Sequence, residues 1–224
     1  RQITRQDMPK IYNLLENLCI SRGIPMPQFE IIDSPALNAF ATGRNPDHAV
    51  VAATTGLLGA LDDQELEGVM AHEMGHIKNY DIRVSLVAFA LVAAVGILAD
   101  FILRMAWFGG DRDNDNNNSA FFILAIAAAI LAPIVATLIQ LAISRKREFL
   151  ADATGALTTR YPEGLASALE KIKLHGSATR RPNTATAHLF FANPLKKREF
   201  ASMFSTHPPL EERVKRLRTM NLHS

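Results

Sequence analysis

Cysteine is nearly absent from this chain: Cys19 is the only one in 224 residues. A lone thiol excludes an internal disulfide and a thiolate zinc site. It suits a small buried apolar residue in a reducing compartment. Neither sign of charge dominates, since 24 Lys and Arg stand against 22 Asp and Glu, a net charge of +2. The basic stripe of a nucleic-acid binder is therefore missing. Arg145-Lys146-Arg147 and Lys196-Lys197-Arg198 are short clusters that read as solvated surface. No internal repeat and no signal peptide is visible. The chain opens on Arg1 rather than Met, so it reads as a fragment or a processed product.

Apolar residues, by contrast, are plentiful: 48% of the chain, enough for one domain or two small ones. Residues 1 to 22 read as an amphipathic helix with Met8, Ile11, Leu15 and Leu18 on its apolar face. Gly23 to Pro27 makes a turn. Phe29 to Ile32, Asn38 to Thr42 and His48 to Thr54 read as three short strands. A helix follows from Asp62, a cap with Glu65 three residues on, and carries Leu66, Val69, Met70, Glu73 and Ile77 at helical spacing. Pro162 suits the first turn of a helix running to about His175, and Gly176 to Ala187 reads as a loop. Thr206 caps the last helix, with Pro208 and Pro209 in its first turn and Leu210, Val214 and Leu217 as its apolar stripe.

Two long apolar runs interrupt this pattern. Val84 to Leu103 holds one ionisable group, Asp100, and Ala120 to Ile143 holds none. Each matches the ~20 helical residues that cross a bilayer core. A polar, turn-forming linker from Gly109 to Asn118 joins them, so the pair reads as a transmembrane hairpin. The other reading is a buried helical hairpin in a soluble core, which the alanine content allows. Lys78, Arg83, Arg145, Lys146 and Arg147 flank the outer ends while the linker is net acidic. The positive-inside rule then puts the linker outside and both polar regions in the cytoplasm. Pro133 removes a donor from the second span and is expected to kink it.

The chemistry centres on His72-Glu73-Met74-Gly75-His76. Histidines at i and i+4 lie one above the other on a helix, so both imidazoles can reach one metal ion. A catalytic zinc takes three protein ligands and keeps one position open. Asp, Glu or His on another element can supply the third. Glu148 is the best candidate, because Asp152 follows it by four residues and shares its helix face; the residues alone equally allow an i,i+4 salt-bridge partner on a basic surface. One carboxylate can bind metal while the other accepts an N–H from a ligand histidine. Glu73 would act as general base. His207, held by Pro208 and Pro209, is a candidate donor to an oxyanion, although residue chemistry alone favours a surface histidine at a helix start. His48, His175 and His188 have no spacing that singles them out.

Taken together, His72-Glu73-x-x-His76, two apolar spans, Glu148-x-x-x-Asp152 and Thr206-His207-Pro208-Pro209-Leu210-Glu211-x-Arg213 resemble the HtpX family of membrane-embedded zinc metalloproteases, related to the CAAX prenyl proteases. Ser34-Pro35-x-x-Asn38-Ala39-Phe40-Ala41-Thr42-Gly43 is similar to that family's edge-strand motif. The resemblance implies one zinc per chain, held by His72, His76 and Glu148, with Glu73 and His207 catalytic and Asp152 supporting a ligand histidine. It implies that Asn38, Ala39, Phe40, Ala41 and Arg213 meet the substrate. The expected fold is α+β and mainly helical, with a small edge sheet, a gluzincin-like H-E-x-x-H helix and an inserted transmembrane hairpin. Residues 1–81 and 144–224 would form one metalloprotease domain and 82–143 the hairpin. The expected activity is endopeptidase cleavage of misfolded or damaged membrane proteins at the cytoplasmic face of a bacterial inner membrane. The partners are then polypeptide substrates and the lipid bilayer, with no nucleic acid. A CAAX-type prenyl protease and a non-catalytic metal-binding membrane scaffold are the alternatives. The family's further spans, upstream of the catalytic part, are not in this chain.

Overall fold

The computed structural model describes residues 1–108, 116–175 and 208–220. Two compact units emerge, Arg1–Arg83 with Arg145–Ser224, and Val84–Ser144. In the first, helix α1 spans Pro9–Arg22 and buries Ile11, Leu15, Leu18 and Cys19. It starts later than the apolar periodicity predicts. Proline at the first position disfavours helical backbone in the residue before it, and Met8 is non-helical at φ −143°, ψ 75°. The residues ahead of it instead pair with the sheet.

That sheet has three strands, β1 (Gln28–Ile32), β2 (Ala39–Thr42) and β3 (Val50–Thr54), in the order β1-β3-β2. β1 runs parallel to β3 and β2 antiparallel to it. The third strand begins at Val50 rather than His48, because Asn45 caps a short 3-10 turn over Pro46–His48. The outer edge of β1 is covered: Ile3 N–H donates to Phe29 O at 2.9 Å and Ile31 N–H to Arg1 O at 2.8 Å. β2 forms the opposite edge.

A short helix, α2 (Thr55–Ala60), follows β3 directly and was not expected from the sequence; Thr54 caps it through its hydroxyl. The long core helix α3 (Asp63–Lys78) opens with the predicted capping box between Asp62 and Glu65. Glu65 is 3% exposed, yet Ser167 and Lys171 both donate to it at 2.6 Å. Burial alone would raise its pKa; Lys171, Ser167 and the capping N–H reverse this and hold it below the usual value.

Helix α4 spans Asp81–Phe108, α5 spans Asn116–Thr159, α6 spans Pro162–His175 and α7 spans Leu210–Arg218. α5 carries Pro133 without ending there. α7 begins after both prolines rather than with them: the Pro209 carbonyl accepts from Glu212 and Arg213 N–H at 3.0 and 3.2 Å. Thr206, the expected cap, lies outside the described residues. α3, α6 and α7 share a core of Val69, Met70, Leu165, Leu169, Ile172 and Leu217.

α3 and α6 pack with backbones nearly touching. A Cβ on Gly68 would lie 2.6 Å from the Leu165 nitrogen. Gly→Ala in a helix interior normally gains about 1 kcal/mol. Here the overpacking cost of about 1–3 kcal/mol should win, so Gly68→Ala is expected to lower the thermal midpoint. A raised midpoint would mean that α6 can move away freely.

In the second unit, Leu86, Phe89, Leu91, Ile97, Leu124, Leu131 and Ile139 are more than half exposed. Only 6% of the most apolar window of each helix is buried. The helices are long and apolar enough to cross a membrane. Side chains in a soluble core would be covered, so the buried-hairpin reading loses its support.

Candidate metal centre

Two helices build the centre by crossing closely. α3 carries His72, Glu73 and His76; α5 carries Glu148 and Asp152. At the crossing a Cβ on Gly155 would lie 3.1 Å from the His72 nitrogen. The missing side chain lets the α5 backbone approach, which brings both carboxylates to the histidines.

Each imidazole is held from behind. His72 Nδ1 lies 2.9 Å from Asp152 Oδ1, and His76 Nδ1 lies 2.6 Å from Asp81 Oδ2. An ionised carboxylate only accepts, so both pairs place the imidazole proton on Nδ1. The two Nε2 atoms are then turned towards each other, 3.0 Å apart. Glu148 closes the triangle, with Oε2 at 3.8 Å from His72 Nε2 and Oε1 at 3.6 Å from His76 Nε2. Ligands around a tetrahedral zinc sit about 3.3 Å apart, given metal–nitrogen bonds near 2.0–2.1 Å. Two imidazole nitrogens and a carboxylate converging in this way could hold a cation, and the donor set suits zinc. Among the described residues, His72, His76 and Glu148 form the group that could hold a metal.

Arg213 ties the carboxylates together from α7. Its Nε donates to Asp152 Oδ2 at 2.8 Å, one terminal nitrogen to Oδ1 at 2.7 Å, and the other lies 3.2 Å from Glu148 Oε2. The guanidinium also packs on the His72 ring at 3.4–3.5 Å. Burial by itself would weaken its charged form, but Asp152 and Glu148 more than offset this and raise its pKa. The resemblance implied a residue that meets substrate; at 0% exposure, Arg213 instead faces the metal-side carboxylates.

Glu73 is 4% exposed, next to His72 on the same helix. Asn38 is 2% exposed and precedes β2, its N–H bonded to Thr54 Oγ1 at 3.1 Å. Ala39, Phe40 and Ala41 lie on the edge strand itself. His207 lies outside the described residues. Sequence reasoning missed Asp81. Its signal was available only as an acid opening α4 five residues after His76, a spacing that a continuous helix would turn away from the imidazole.

The pattern of peptidase family M48 matches residues 5–221. A protease HtpX homolog of Tropheryma whipplei is 56% identical over 220 residues, 98% of this chain and 75% of that protein. A protease HtpX homolog of Dictyoglomus turgidum is 48% identical over 98% of this chain and 72% of its own length. Among solved structures, S. mikatae Ste24p superposes with a TM-score of 0.60 at 21% identity, over 92% of this chain. The chain spans about half of that structure, 49% of its length, and the likeness is one of fold. With the family pattern over residues 5–221 and relatives 48% and 56% identical over 98% of its length, the chain belongs to peptidase family M48.

Proposed function

We propose that this chain is a zinc-dependent membrane endopeptidase that cleaves misfolded or damaged membrane proteins on the cytoplasmic side of a bacterial inner membrane. One observation carries the reading: His72 Nε2, His76 Nε2 and Glu148 converge while a carboxylate holds each histidine at Nδ1. His72, His76 and Glu148 would hold the ion, with Asp152 orienting His72. Bound zinc would polarise the scissile carbonyl and acidify a water beside it.

The remaining steps belong to the chain. Glu73 takes the proton of the attacking water and later gives it to the leaving amine. Low exposure on α3 keeps bulk water from competing for that proton. Substrate would join the sheet at β2. Asn38 O accepts from Thr54 N–H, so the pairing of residues 38, 40 and 42 with β3 turns the N–H and C=O of Ala39 and Ala41 outward, by the alternation of an antiparallel ladder. An added strand there would be read mainly through its backbone, which suits unfolded polypeptides of varied sequence. His207 is the proposed oxyanion donor. Residues 1–81 and 144–224 would form one cytoplasmic catalytic domain around the inserted hairpin, with the basic residues at the hairpin's outer ends at the inner surface.

The test is hydrolysis of an unfolded protein by the detergent-purified full chain. Cleavage should disappear on chelation and return with zinc. Cleavage that survives complete metal removal would sink the metalloprotease reading. Zinc binding without hydrolysis would favour a metal-binding scaffold.

A further inference from the structure

His72 and His76 receive different support. The partner of His72, Asp152, sits on the same helix as Glu148, four residues on. The partner of His76 does not: Asp81 opens α4, at 6% exposure, with its Oδ2 2.6 Å from His76 Nδ1. A helix continuing through residue 81 would rotate Asp81 roughly 140° away from His76. The chain breaks instead. α3 ends with Asn79 as its cap, and Tyr80 takes φ 55°, a left-handed conformation uncommon outside glycine. That turn swings Asp81 back onto the imidazole.

Asp81 is itself held. Its other oxygen, Oδ1, pairs with the Arg147 guanidinium, which also donates to the Asn79 carbonyl of the turn. Arg147 lies on α5, one residue before Glu148. Asp81, in the first turn of α4, thus meets His76 directly, and Arg147, on α5, reaches it only through Asp81. A buried carboxylate with an imidazole on one oxygen and a guanidinium on the other has little freedom to rotate.

We propose that Asp81 is a positioning residue that fixes the tautomer and ring orientation of His76, and that Arg147 holds Asp81 in place for it. The proposal rests on the reading of His76 as a zinc ligand. It ties zinc affinity to the Tyr80 turn and the Asp81–Arg147 pair, so damage at either should loosen the metal without touching a ligand.

The test uses the full chain in detergent. Zinc affinity is measured by chelator competition, with circular dichroism of the metal-free protein as the control for folding, and kcat and KM measured separately. Asp81→Ala should weaken zinc binding about 10–100-fold, the usual effect of removing a histidine's outer partner. At saturating zinc it should lower kcat and leave KM within about 2-fold. Asp81→Asn keeps one acceptor oxygen in the same shape, enough for His76 or Arg147 but not for both, so its affinity should fall between those of the parent and Asp81→Ala. Arg147→Met should show a smaller loss in the same direction. Lower thermal stability with unchanged zinc affinity and kcat would overturn the proposal, since it would leave Asp81 merely structural. If Asp81→Ala does not fold, Asp81→Asn with Arg147→Met decides: parental affinity in both overturns it. His76→Ala separates the two readings. If it binds zinc like the parent, the assignment of His76 fails. If it loses zinc while the Asp81 and Arg147 variants do not, the positioning role alone fails.

Discussion

Glu73→Gln is expected to lower kcat by about 10²–10⁴-fold while zinc content stays at the parental level. Glutamine has nearly the same volume and still hydrogen-bonds, but it cannot take a proton from water at neutral pH. Among the described residues the group that could hold the metal is His72, His76 and Glu148, so the substitution removes none of these ligands. A loss of that size corresponds to about 3–5 kcal/mol of transition-state stabilisation. KM should change little, because Glu73 acts on the water rather than on the substrate strand. Steady-state kinetics beside metal analysis of the same preparation checks both halves. Equal cleavage by parent and variant would assign the activity to a contaminating protease or another base. Loss of zinc along with activity would make Glu73 a ligand or a structural support.

The parts of the site that depend on local periodicity were legible in the sequence. His72 and His76 lie at i and i+4, Glu148 and Asp152 likewise, and the Asp62–Glu65 capping box is a three-residue pattern. Such relations are set within one helix before any tertiary packing. What was not legible depends on chain reversals and distant partners. Asp81 reaches His76 only because Tyr80 turns left-handed, and nothing in the residue type Tyr announces that. Arg213 meets Asp152 across 61 residues of sequence, so its burial follows from how α7 packs rather than from its neighbours in the chain. The apolar spacing that predicts α1 continues towards the N-terminus past Met8, whereas Pro9 at the first position keeps the helix from starting earlier. Residue preference alone places the prolines before α7 inside the helix, whereas Pro209 takes the capping position and helical backbone begins at Leu210.

Arg213→Met is expected to be among the most destabilising single substitutions in the chain, at about 3–5 kcal/mol for the metal-free protein. Methionine keeps much of the apolar stem and removes the charge. Asp152 and Glu148 are 3% and 6% exposed, so each would keep a buried negative charge without its guanidinium. Asp152 would lose two hydrogen bonds at once, those at 2.7 and 2.8 Å. Arg213→Lys should cost less, since it restores charge but cannot span both carboxylates with a rigid fork. Zinc should narrow the gap between parent and variant. A bound cation puts positive charge beside Glu148 and draws on the same carboxylates, and any ligand that binds only the folded state adds stability through mass action. Unfolding measured with and without zinc, for the parent and both variants, reads this directly. A variant as stable as the parent without metal would show that water reaches Asp152 and Glu148 freely once the guanidinium is gone. A gap of the same size with and without zinc would show that Arg213 supports α7 independently of the metal centre.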